Sequence, residues 1–506
     1  MRVQWPLRLY AVGCLMDLLS QFFNSHFRYR STPRSKQGAI DDALVSLEED
    51  MIVVRPAASS QVHDTISFQD VVAVNYGDSS LQVTVLQIRR KSCTSSPGRQ
   101  RRDIVLERLD RWDENLDVVA TALLHLSLGD LDVILGGTSK CPTKTRALII
   151  INPASGKGDA MNLYTNIAKP LFDLCQDRFM IEEVVSESTE HTKKVAMEAA
   201  DKFDAFIFCG GDGLTHDFLQ GISKLPDYRD ILSRVTLGFL PAGSGNGLAC
   251  SSAYSSERDL AGDPKGFVSD FCVALRLILR GNTCSLDAAR MEILDRETGE
   301  RKDTLLACLN AGWGLFSDVD IGSEHLRFLG GARFTTYALW RIINLRQYAA
   351  RLSYIEASDL TDGKQLSSLP DRSSPLWHTE EGVFAGVVLS NVSHSGADMM
   401  VAPERTLGDG CWSMCYLPYK DASFGNLVSG LASMEMGRHT EMSHFWKARS
   451  AVAWRIEPAN EHSEMTGEGA AVDGESVQRG ELCGFVMPRV LNVYASRRDG
   501  EPLSEP

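Results

Sequence analysis

The stretch FIFCGGDGLTHDFLQGI, residues 206–222, places one carboxylate, Asp212, among Gly210, Gly211 and Gly213 where an apolar run ends. Two more glycine-rich stretches end apolar runs nearby: NPASGKGDA at 152–160 and PAGSGNG at 241–247. Glycine lets a backbone approach a ligand closely and adopt positive φ. Amides at a following helix start attract phosphate. Three such loops together point to a polyphosphate site. Asp212 then has two readings. It could cap the helix that follows, because Asp is a favoured N-cap. It could instead accept a proton from an attacking hydroxyl, or organise Mg2+, beside the phosphates. SGKG is not a Walker A loop, since Gly158 follows Lys157, and GSGNG does not fit the dinucleotide GxGxxG pattern.

The elements that must carry these loops are legible in the hydropathy. TRALIIINP, AFIFCGG and VTLGFLP are continuous apolar runs, as expected of strands covered on both faces. Helical patterns follow each, and FMIEEVVSE with STEHTKKVAMEAADKF adds a further strand and helix. This alternation predicts an α/β domain with a parallel sheet over residues 144–285. Ligands in such sheets sit at the carboxyl ends of the strands. From about residue 286 to 500 the runs become strand-like and turn-separated, which predicts a mainly antiparallel β-rich domain. One strong helix, 334–348, interrupts it and either lines an apolar pocket or is plain core. Residues 51–140 read as a small β-rich region with a C-terminal helix at 112–129, resembling a pleckstrin-homology domain. Residues 1–50 read as a separate amphipathic or poorly ordered segment, with an apolar stretch at 9–23.

Composition sets the outer bounds. A chain of 506 residues needs two or three domains. A net charge of −14 argues against nucleic acid as a partner. The cysteines lie in apolar surroundings without CxxC pairs, which suits reduced thiols better than disulfides or zinc. No apolar run is long enough to span a membrane. The basic stretch 89–102 reads as a solvated loop or as a contact for anionic lipid headgroups.

In that order and spacing, NPASGKG, GGDGLTHD and LPAGSGNGLA resemble the diacylglycerol-kinase catalytic domain, a superfamily of lipid kinases. NVSHSGADMMVAPERTLGDG at 391–410 and AVDGE at 471–475 are similar to its signatures further along. Within the superfamily, NAGWGLFSDVDIGSEHLRFLGGARF at 310–334 most resembles the sphingosine kinases. The resemblance implies ATP with Mg2+ as cofactor, and a long-chain base as the lipid acceptor at a transient membrane surface. Location is expected to be cytoplasmic or peripheral to a membrane. Asn152, Pro153, Ala154, Gly156, Lys157, Thr189, Asp217, Gly243, Ser244 and Gly245 are implied for nucleotide. Arg327 and Arg333 are implied for its phosphates, with Asp473, Gly474 and Glu475 closing the site from the second domain. Gly210 to Gly213 would lie against the lipid headgroup, with Asp212 as general base and Asp320 on the amine.

Physical chemistry supports that assignment. A long-chain base is cationic near neutral pH, and a placed carboxylate gives it a charge-assisted hydrogen bond. If the segment is extended, Asp318 and Asp320 share a face and either could serve. Ceramide and diacylglycerol, the acceptors of the runner-up reading, offer no such charge. NAD kinases also carry GGDG, but their substrate gives the segment around Asp320 no purpose. A nonenzymatic lipid- or nucleotide-binding module would not need Asp212.

Overall fold

The computed structural model describes the strands between residues 25 and 108, Val62, and residues 144–496 except 177, 258–267, 361–364 and 460–468. These fall into two compact units. One holds the N-terminal strands with residues 167–180 and 275–282; the other holds 145–166, 181–274 and the chain from 283 onward.

In the first unit, β1 (Ser25–Thr32), β2 (Ile40–Glu48), β3 (Met51–Pro56), β4 (Asp64–Ser67), β5 (Val71–Tyr76), β6 (Ser80–Arg89) and β7 (Gly98–Arg108) form one sheet. Its order is β4-β3-β2-β1-β7-β6-β5, with antiparallel neighbours. The sheet begins at Ser25 rather than Met51, so the segment 1–50 does not stand apart as expected. β1 is bound between β2 and β7, and β2 buries Ala43 and Val45 at the two-residue spacing of a strand face. The apolar stretch 9–23, the expected helix at 112–129, and Arg90 to Pro97 of the basic stretch lie outside the described residues.

In the second unit, β8 (Thr145–Ile151), β10 (Ala205–Gly210) and β11 (Thr236–Pro241) are parallel, with β9 (Phe179–Val185) beyond β8. Every residue of β10 is buried, as a strand covered on both faces requires. Helices α1 (Thr189–Ala199), α2 (Asp212–Ile222) and α3 (Gly247–Glu257) follow β9, β10 and β11. The Ser188 side chain caps α1 by accepting from His191 N. Helices α1 and α2 meet at Gly221, where a Cβ would stand 2.5 Å from the Lys193 carbonyl oxygen and 2.9 Å from Ala196 Cβ.

The β-rich half contains β12 (Thr283–Leu294), β13 (Arg301–Ala307), β14 (Asn310–Gly314), β15 (Tyr348–Glu356), β16 (His378–Ser390), β17 (Trp412–Pro418), β18 (Lys447–Pro458), β19 (Ala470–Val472), β20 (Glu475–Ser476) and β21 (Glu481–Tyr494). One hydrogen-bonded path, β20-β19-β14-β16-β15-β18-β21-β11-β10-β8-β9, runs through both halves. Strand β21 is the joint: it pairs antiparallel with β12 and β18, and parallel with β11 at Thr236 and Leu237. The core crosses the same joint, packing Phe206, Phe208 and Phe218 in one cluster with Leu286, Phe485 and Leu491.

Three helices sit over the β-rich half: α4 (Leu315–Gly322), α5 (Ala332–Ile343) and α6 (Phe424–Met434). The helix expected at 334–348 is α5, which stops at Asn344 because Tyr348 already belongs to β15. The segment 357–382 is tied down by Arg372, which pairs with Glu457 and Glu481, and by Trp377 packed on the core. Cysteines among the described residues are buried.

The close approach at Gly221 is testable. Gly221→Ala must push α1 off α2 and is expected to cost about 1–3 kcal/mol by urea unfolding. An unchanged unfolding midpoint would contradict this packing.

Candidate active site

The three glycine loops leave the carboxyl ends of β8, β10 and β11 and close on one another through backbone. Asn152 N donates to Cys209 O at 3.1 Å, and Ala154 N donates to Asn152 Oδ1 at 3.0 Å. Gly210 O accepts from both Ala242 N and Gly243 N, at 2.9 and 3.1 Å. At Gly243 a Cβ would stand 2.4 Å from Gly211 Cα, and at Gly156 (φ +57°) one would stand 2.5 Å from Ala242 O. No larger residue fits at either position without moving backbone. Asn246 (φ 61°) clamps the third loop, accepting from Gly243 N and donating to Gly243 O, both at 2.8 Å.

Asp212 is held by this arrangement. It does not cap its own helix, whose N-cap is Gly211. Its carboxylate instead crosses to the start of α3, with Oδ2 accepting from Gly247 N at 2.9 Å and Oδ1 from Leu248 N at 3.1 Å. Burial pushes its pKa up to about 6; the two α3 amides pull against that, and the Asp473 charge adds to it. A carboxylate with that value is ionised at neutral pH yet basic enough to take a proton.

Asp473 comes from the β19–β20 turn, where it and Gly474 both have positive φ. It is 3% exposed. Its Oδ1 accepts from Leu309 N and Asn310 N at 2.9 and 3.1 Å, and its Oδ2 accepts from Cys308 N at 3.2 Å. His216 Nδ1, one turn beyond Asp212 on α2, lies 3.4 Å from the same Oδ2. Burial opposes a charge on His216, but the hydrogen bond and charge of Asp473, with Glu475 and Asp217, hold its pKa above the ordinary value. Gln220 adds a second tie, donating to Leu306 O at 2.7 Å and accepting from Leu306 N at 3.2 Å. Asp473 therefore locks the 308–310 turn and faces α2. The exposed members of its turn are Gly474 and Glu475. Glu475 Oε1 stands 2.8 Å from where a Cβ on Gly213 would be.

The remaining nucleotide candidates surround the same loops. Thr189 opens α1 and its hydroxyl bonds Asp217, whose pKa is raised by burial. Pro153 and Lys157 are exposed on the first loop. Lys157 Cε lies 3.4 Å from the Cβ position of Gly330, and Ser244 O lies 3.2 Å from that of Gly331. The segment carrying Arg333 thus reaches the loops, including the Ser244–Gly245 turn. Arg333 is buried, pairs with Glu324 at 2.6 Å and stacks over the Phe334 ring. The Arg327 side chain lies outside the described residues.

Asp318 and Asp320 do not share a face. They lie on helix α4, where two residues turn the side chains about 200° apart. Asp318 is buried against α5 and β15, accepting from Arg341 Nε at 3.1 Å, Arg346 at 3.2 Å and the Tyr348 hydroxyl. Asp320 lines a cavity between α4, α5 and α6. Its wall is chiefly apolar, including Leu315, Val319, Val388, Leu427 and Phe445. Helix α5 contributes Ala338 and Ile342 to the lining, while Phe334, Tyr337 and Leu345 pack behind it and Trp340 is 49% exposed. Burial pushes Asp320 up to about 7, with Arg333 pulling it down and Glu324 pushing it up.

The sequence reading missed Asn246, His216, Gln220 and Asn310 as contributors. Each sits inside or beside a quoted motif; Asn246 acts within its own loop, while the partners of His216, Gln220 and Asn310 come from chain distant in sequence.

Residues 146–291 match the family model described as the diacylglycerol kinase catalytic domain. Sphingosine kinase 1 of Homo sapiens is 29% identical over 395 residues, which cover 74% of this chain and 97% of that protein. Sphingosine kinase 1 of Rattus norvegicus is 28% identical over 374 residues, covering 71% of this chain and 93% of its own. A solved structure described as a candidate diacylglycerol kinase from Bacillus anthracis shares the fold at a TM-score of 0.50 and 19% identity, covering 71% of this chain and 98% of that one.

The pH dependence of turnover tests the Asp212 assignment. Its base form is lost as pH falls through about 6, so kcat/KM is expected to drop on that acid limb. Asp212→Asn is expected to lower kcat about 10²–10⁴-fold. A variant retaining full activity would remove Asp212 from the chemistry.

Proposed function

We propose that this chain, a lipid kinase of the sphingosine-kinase type with a diacylglycerol kinase catalytic domain, transfers the terminal phosphoryl group of ATP to the primary hydroxyl of sphingosine or a related long-chain base. The product is the base 1-phosphate. The observation that carries the reading is the pairing of two carboxylates with different surroundings. Asp212 is fixed at the meeting of three amide-rich loops, and Asp320 stands in the wall of an apolar cavity.

The steps follow from those positions. The triphosphate lies against the amides of 152–158 and 241–247, with Lys157 and Arg333 supplying positive charge. Asp212 takes the proton of the attacking hydroxyl as the oxygen forms its bond to phosphorus. Asp320 pairs with the base ammonium. That cation favours the ionised carboxylate, so substrate binding reverses the upward pKa shift burial gives Asp320. The alkyl chain fills the cavity.

Among the described residues no group of three or more His, Cys, Asp or Glu is placed to hold a metal. Mg2+ arriving on ATP keeps most of its water and needs only one or two protein carboxylates. Glu475, exposed beside Gly213, fits that demand, and the ion would neutralise phosphate charge there. Because the acceptor is dissolved in a bilayer, the proposal includes transient docking on a membrane surface. Among the described residues no helix is long and apolar enough to cross one. A ceramide or diacylglycerol kinase remains the second reading, and Asp320 is the residue that disfavours it.

Asp320→Asn separates the two. It is expected to raise KM for sphingosine about 10- to 100-fold, the worth of a hydrogen bond to a charged group, with a smaller effect on KM for ATP. An unchanged KM for sphingosine would remove Asp320 from the headgroup.

A further inference from the structure

We propose that Glu324 is a positioning residue for the acceptor site: by holding the Arg333 guanidinium, it keeps the Asp320 carboxylate open to the base ammonium. This rests on the long-chain-base reading above and adds to it a residue that touches neither substrate.

Helices α4 and α5 run antiparallel. Asp318 on α4 pairs with Arg341, near the end of α5, at 2.9 Å. Gly322, at the end of α4, packs against Tyr337, one turn earlier on α5. The same register brings the last turn of α4, which carries Asp320, toward the first turn of α5, which carries Arg333. A 3-10 turn, Glu324–Leu329, leaves α4 at this corner. One cation and two carboxylates therefore converge there.

Arg333 goes to Glu324. Its Nη1 donates to Glu324 Oε1 at 2.6 Å, and its guanidinium lies over the Phe334 ring, 4.4 Å from the centroid. Asp320 accepts from Ser323 only through its backbone carbonyl, and among the described residues no donor is bonded to its carboxylate. Arg333 is nonetheless within electrostatic reach, since it pulls against the rise that burial gives the Asp320 pKa. Glu324 does not saturate the guanidinium, whose Nε–H is buried without a partner. Without Glu324, Arg333 would be a buried cation lacking its counter-ion, which is costly, and Asp320 is a carboxylate in reach to relieve it. An Asp320–Arg333 pair would neutralise within the protein the charge that the ammonium has to meet. The ammonium would then have to displace a guanidinium, a better partner for a carboxylate than itself.

The test is a double-mutant cycle on the KM for sphingosine, measured in mixed micelles at subsaturating ATP, where Arg333 is not drawn to phosphate. Glu324→Gln is expected to raise that KM about 3- to 10-fold, the scale of one net hydrogen bond. In an Asp320→Asn background, with no carboxylate left to capture, the same substitution is expected to add no further rise. A KM that Glu324→Gln leaves unmoved, or a rise of equal size in the Asp320→Asn background, would overturn the inference while leaving the kinase reading standing. The equal rise would mean that Glu324 acts on the fold of its segment and not on Asp320. Transfer by the unaltered protein to diacylglycerol and not to sphingosine would overturn the long-chain-base reading itself and this inference with it.

Discussion

The site depends on backbone touching backbone at the ends of three parallel strands. Gly243 lies on Gly211, and Gly156 lies under Ala242, at separations that exclude any Cβ. Because the loops close this tightly, the start of α3 arrives beside the start of α2. The Asp212 carboxylate, carried by α2, then accepts from the first amides of α3. A carboxylate fixed at a helix N-terminus is stabilised by aligned amides, yet burial keeps it basic. The glycines therefore do more than leave room between the loops: they place the Asp212 carboxylate and set its surroundings.

Asp473 extends that constraint into the β-rich half. By accepting three amides of the 308–310 turn and facing His216, it fixes α2 relative to β14. Strand β14 leads directly into α4, and α4 carries Asp320. The placement of Asp212 relative to Asp320 is thereby set through one buried side chain and a single turn of chain. The shared sheet reinforces the link, because β21 bonds to strands of both halves.

Much of this was legible in the sequence, and the failures have physical causes. Continuous apolar runs gave the parallel strands, since strands covered on both faces admit no polar alternation. Glycine loops at their ends located the place where three strand ends meet, and Asp212 with it. The spacing of Asp318 and Asp320 misled, because GWGLFSDVDIG carries no strong cap or breaker and reads equally as strand or helix. Its helical form is settled by tertiary contacts, with Asp318 drawn to Arg341, Arg346 and Tyr348. Asp473 read as a ligand contact because its partners, Cys308 to Asn310 and His216, lie more than a hundred residues away in sequence. The extent of the N-terminal sheet was equally hidden, since β1 is held by β7 rather than by its own apolar pattern.

The central claim is that the amine of the acceptor is recognised by the half-buried Asp320 carboxylate while its primary hydroxyl is phosphorylated. One assay addresses it directly: labelled ATP with Mg2+, run in parallel on sphingosine, ceramide, diacylglycerol and NAD. The account predicts strong transfer to sphingosine and none of comparable rate to the other three. Equal or faster transfer to ceramide or diacylglycerol would leave a lipid kinase but contradict the role given to Asp320.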